Sequence, residues 1–105
     1  MSKQNTIDKL IKLLAHAISH KIGSIVNKDD HYAERYSKEA INFFNLAMRA
    51  SEEENWNLYD KSIIKKLLNK KLISELSKRE YLDVKKFDLI DKEIEKALDE
   101  LGLKI

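Results

Sequence analysis

Two histidines one helical turn apart, His16 and His20, are the residues of this chain best spaced to do chemistry. At i and i+4 on a helix, two imidazoles reach a common metal ion or face a common reactant. Ala17, Ile18 and Ser19 lie between them, so the pair lacks the glutamate that acts as base on a metalloprotease helix. His31 opens a separate segment, and a third ligand would have to be a carboxylate from elsewhere. Histidines on a solvated helix face are the simpler expectation, and no metal is assigned. The acidic segment with Asp88, Asp91, Glu93, Glu95, Asp99 and Glu100 has no Glu-x-x-His pair of the kind that builds di-iron bundles. It is expected to be solvated or to face lysines. With no glycine-rich phosphate loop and no serine set against a histidine–carboxylate pair, the chain is expected to be neither an enzyme nor a cofactor carrier.

The stretch LLAHAISHKIGS, Leu13 to Ser24, resembles the region around the phosphoaccepting histidine of histidine-kinase dimerisation domains and histidine phosphotransfer domains. The resemblance implies a bundle helix presenting His16 or His20 to solvent, with a phosphodonor and a receiver domain as partners. It covers about a dozen residues. Ala17 and Lys21 stand where the kinase domains carry an acid, and Gly23 and Ser24 where phosphotransfer domains carry lysine and glycine.

Residues 61–73, KSIIKKLLNKKLI, form a second chemical feature. Lys65, Lys66, Asn69 and Lys70 share a face opposite Ile63, Ile64, Leu67 and Leu68. Lys61, Lys65, Lys66, Lys70 and Lys71 are the candidate anion contacts, to nucleic acid phosphates or an anionic membrane surface. No arginine among them offers bidentate base contacts and no aromatic interleaves with them, so sequence-specific readout is not expected. A lysine-rich solvated face is the simpler reading.

These groups must be positioned by helices. The chain of 105 residues has no proline and two glycines, too few turn formers for a β-rich fold. Its 43% apolar content is too high and too periodic for disorder. The expected fold is all-α, one domain over residues 1–105, a compact antiparallel bundle of four or five helices. Charge alternates along the chain, positive over 1–28, negative over 29–60, positive over 61–79 and negative over 80–105, which favours antiparallel neighbours. Without cysteine there are no disulfides. The N-terminal apolar stretch is broken by Lys9, Lys12, His16 and His20, so it reads as neither signal peptide nor membrane span, and a cytoplasmic location is the default.

The spacing predicts a first helix from Asn5 or Thr6 to Val26, with Ile11, Ile18 and Ile25 as its heptad row. A second, over 30–51, carries Ala33, Ala40 and Ala47 at sevens with Tyr36, Phe43 and Phe44 beside them. This helix is expected at the centre, with Phe44 and Ala40 buried and Asp29 or Asp30 as its cap. Asn57 should cap a third helix, fastened by Trp56 and Tyr59, whose stripe slips after Leu68 and implies a break at Asn69–Lys71. Ser77-Lys78-Arg79-Glu80 reads as a capping box that starts the last helix at Lys78, with Asp88 able to restart it. That helix would face Phe87, Ile90, Ile94, Ala97, Leu98 and Leu101 inward and end at Gly102. Apolar groups off these stripes, Leu13, Tyr32, Leu46, Ile73 and Leu76, are the candidate partner contacts. The chain is expected to be a non-catalytic protein–protein interaction module, as a homodimer or against another protein.

Overall fold

The computed structural model describes residues 3–28 and 31–105. It is all-α, with no strand among the described residues. The four α-helices are α1 (Lys3–Val26), α2 (Ala33–Ser51), α3 (Leu58–Ser77) and α4 (Ile90–Glu100), and a 3₁₀ helix (Val84–Leu89) leads into α4. The expected caps Asp29 and Asp30 lie outside the described residues.

The centre is α1 and not α2. Eleven residues of α1 are buried, and α2, α3 and α4 each pack on it. Its Leu and Ile stripe is widened on the flank by Ala15, Ser19 and Gly23, all buried. Small side chains let neighbours approach, and the Ser19 hydroxyl satisfies itself by donating to the His16 carbonyl at 3.1 Å. Ile25, expected in the core row, is exposed. Lys21 already pairs with Glu93 in the first turn of α4, so Ile25 lies a turn beyond that helix.

α3 is one uninterrupted helix. Ile64, Leu68, Leu72 and Leu76 are all fully buried. Such an i+4 row is inclined to the helix axis and fits the grooves of a crossing helix, so the apparent slip after Leu68 is the tilt of a packing ridge. Leu76, expected to be a partner contact, is therefore core. At its start Asn57 closes a capping box with Asp60: Asp60 N–H donates to Asn57 Oδ1 at 2.8 Å and Asn57 N–H to Asp60 Oδ2 at 3.2 Å. Lys3 bonds the same carboxylate at 2.7 Å and lies over the Trp56 ring. The Trp56 indole N–H donates to the Ser51 carbonyl at 2.8 Å, while Tyr59 faces solvent and fastens nothing.

Ser77 does not start a helix. Its hydroxyl donates to the Ile73 carbonyl inside α3, and residues 78–83 turn before the 3₁₀ helix. A buried lysine explains the turn: Lys86 donates its ammonium to the Arg79 carbonyl at 2.6 Å, at the C-terminal end of α3 where the helix dipole attracts a cation. Ile90, Ile94, Ala97 and Leu98 face inward as their spacing requires, whereas Phe87, on the 3₁₀ helix, is largely exposed. At the end of α4, Gly102 has φ +72°. Gly102 N–H reaches the Asp99 carbonyl and Leu103 N–H the Leu98 carbonyl, the paired bonds of a Schellman motif.

Candidate functional site

Directions follow from which residues meet. His20 meets Glu39 and Lys9 meets Glu53, so α1 and α2 run antiparallel. Lys3 meets Asp60 at one end and His20 lies beside Arg79 at the other, so α1 and α3 run the same way. Among the described residues the backbone of α2 comes close to that of α1 and of no other helix. Two furrows therefore run along its flanks, one toward α3 and one toward α4.

The furrow toward α3 holds the histidines. They do not face solvent openly, as the sequence led us to expect; both are partly covered by aromatic side chains of α2. His16 stacks on Phe43 with ring centroids 5.3 Å apart, and His20 meets Phe43 and Tyr36 edge-on. His20 Nδ1 lies 3.0 Å from the His16 carbonyl oxygen, and Nε2 lies 2.9 Å from Glu39 Oε2, while Arg35 binds the other oxygen of that carboxylate, Oε1. The carbonyl and the carboxylate both only accept, so the site offers each ring nitrogen an acceptor, and a neutral ring, with one N–H, can donate to only one of them. Burial, with Arg79 adding to it, pulls the His20 pKa below its ordinary value despite the opposing pull of Glu39. Across the furrow, burial pushes Glu75 up, but the hydrogen bond from Arg79, with Lys78, His16 and Lys71, holds it below the usual carboxylate range. With a carboxylate against Nε2 and a carbonyl at Nδ1, His20 offers no open nucleophilic nitrogen to an anionic phosphodonor. Among the described residues no three His, Asp or Glu side chains gather as a metal site.

The lysine stretch divides in two. Lys65 pairs with Glu95 at 2.7 Å and Lys71 with Glu75 at 3.6 Å. Lys61 is half-buried, while Lys66 and Lys70 stand exposed. Of the partner candidates, Tyr32 and Leu46 are exposed at α2 and Ile73 is exposed on α3, while Leu13 packs against the core.

The furrow toward α4 was not anticipated. It is a cleft of about 320 Å³ floored by Ala17 and Ile18 of α1 and walled by Ala40, Ile41 and Phe44 of α2 and Ala97 of α4. Lys21, Glu93, Lys96 and Glu100 supply the charges. The Glu93 side chain is only 2% exposed and is held by Lys21 and Lys96. Ile41 is 59% exposed at the lip. The sequence signal was present: Ile41, Phe44 and Met48 fall at i, i+3 and i+7 on one flank of α2. No protein-family model matches this chain, and no curated protein or solved structure matches it. Its function has to be argued from its own side chains.

Proposed function

We propose that this single-domain helical bundle of antiparallel sequence neighbours is a non-catalytic interaction module that pairs with a second copy of itself in the cytoplasm through the α2–α4 cleft. One observation carries the reading: among the described helices the backbone of α2 lies close to α1 alone, leaving an apolar cleft with a large exposed aliphatic residue, Ile41, on its rim. Apolar floor with polar rim is the anatomy of a protein interface. Lys21 and Lys96 reach the rim beside Glu100, while Glu93 is buried between the two lysines, so a two-fold related copy can set those lysines against the Glu100 of its mate. The contacts thus centre on Ile41 and Phe44 rather than on Leu13 and Leu46. Sedimentation equilibrium at micromolar concentration tests it. Wild type is expected at twice the 12.3 kDa chain mass and Ile41→Glu at the chain mass. A wild-type monomer, or an Ile41→Glu dimer as stable as wild type, would contradict it.

A further inference from the structure

The outer face of α3 carries a surface separate from the cleft, and we infer that it docks on an anionic lipid bilayer. Tyr59, Lys66 and Ile73 recur at sevens and so fall on one line along the solvent side of α3, with Lys70 beside it. Tyr59 is 72% and Ile73 44% exposed. Ile105, also exposed, lines a shallow depression with Lys66 and Lys70, and the next one along is bordered by Lys12, Lys70 and Lys71 against a single acid, Asp8. Neither Lys12, Lys66 nor Lys70 pairs with a carboxylate among the described residues. Both acidic residues of α3 are turned away: Asp60 is held by Lys3, and Glu75 by Arg79 and Lys71.

Cations interleaved with protruding apolar groups on one straight helix of about 30 Å match a charged, flat, partly apolar surface. A nucleic acid backbone would reward the lysines but gives Ile73 and Ile105 nothing to bury against, and no arginine is placed for base contacts. A bilayer rewards both: lysines meet lipid phosphates and carboxylates, and the Tyr59 ring and the isoleucines enter the headgroup boundary. Among the described residues no helix is long and apolar enough to cross a membrane, and in the proposed docking α3 lies on the bilayer surface.

Co-sedimentation with phosphatidylcholine vesicles, with and without phosphatidylserine, tests this on the intact chain. Binding is expected only with phosphatidylserine and should weaken as salt rises. Lys66→Gln and Lys70→Gln should each reduce partitioning about fivefold. Ile73→Ser should weaken binding without changing the salt slope. All three positions are exposed, and unchanged circular dichroism will verify the fold. Absence of binding at low salt, equal binding to pure phosphatidylcholine, or wild-type binding by the Lys66→Gln/Lys70→Gln double variant would overturn the proposal. So would an oligonucleotide that binds while Ile73→Ser stays neutral on vesicles, which would identify the partner as nucleic acid.

Discussion

The two long helices beside α1 are attached to it by different chemistry. Against α3 the seam is dry and aliphatic: Ile64, Leu68, Leu72 and Leu76 are fully buried in a core with Leu10, Leu14 and Ile22. Against α2 it is built from Ala40, Ala47 and Ala50, flanked by aromatic rings, histidines and ion pairs that water still reaches. Alanines bring backbones close but bury little area each, and half-exposed rings and surface ion pairs contribute modestly. The contrast teaches that the helix with the most regular sequence repeat need not be the centre of the fold. α2 is periodic because one side of it meets one neighbour. α1 looks less regular because it is surrounded.

The largest expected effect is on the α3 seam. Leu72→Ala should cost about 2–5 kcal/mol, because a fully buried leucine leaves a cavity that its neighbours fill only in part. Urea melts will show this, and a loss comparable to that of Phe44→Ala would erase the contrast. Phe44 is only partly buried, so its truncation should cost about 1–2 kcal/mol, less than for a central core phenylalanine. The α2 seam should instead be sensitive to added volume. Ala47→Leu at a fully buried position should destabilise by about 1–3 kcal/mol, while exposed Asn45→Leu should not.

Smaller still, Asn57→Ala removes half of the capping box and should cost about 1 kcal/mol, with Asn57→Asp retaining most of the stability. The smallest effect is the pH dependence of the histidine furrow. The His20 pKa is lowered in the folded chain, so the unfolded chain takes up its proton first as pH falls. Stability should therefore decline as pH drops below the unfolded histidine value and level off below the folded one. Melts of His20→Gln against wild type across that window isolate the effect. Wild type becoming relatively more stable on acidification would mean that Glu39 outweighs burial and Arg79.

What was legible in the sequence was local. The Asn57 cap and the Gly102 termination each depend on a few adjacent residues and the all-α class on composition and helical period, and all three hold in the structure. What was not legible depends on crossing angles. The i+4 ridge of α3 looked like a break because its tilt has meaning only against a partner helix. The Ser77 to Glu80 capping box failed because Ser77 bonds back to Ile73 and Lys86 closes the turn from outside. The cover over the histidines is not legible because nothing on α1 reveals that Phe43 and Tyr36 of α2 lie against them. The cleft is half legible: Ile41, Phe44 and Met48 share a flank of α2 in the sequence, but only the separation of α4 from α2 leaves that flank uncovered.

Backbone hydrogen exchange, followed residue by residue at several protein concentrations, tests the self-association claim most directly. In the monomer, amides of α1 and α3 should open only with the whole fold, whereas α2 opens at lower free energy. Raising concentration should add protection to α2 around Ile41 and to α4 around Ala97, and leave the outer face of α3 unchanged. Protection that is uniform across α1, α2 and α3 and independent of concentration would contradict both the weak attachment of α2 and the closing of its cleft by a second copy.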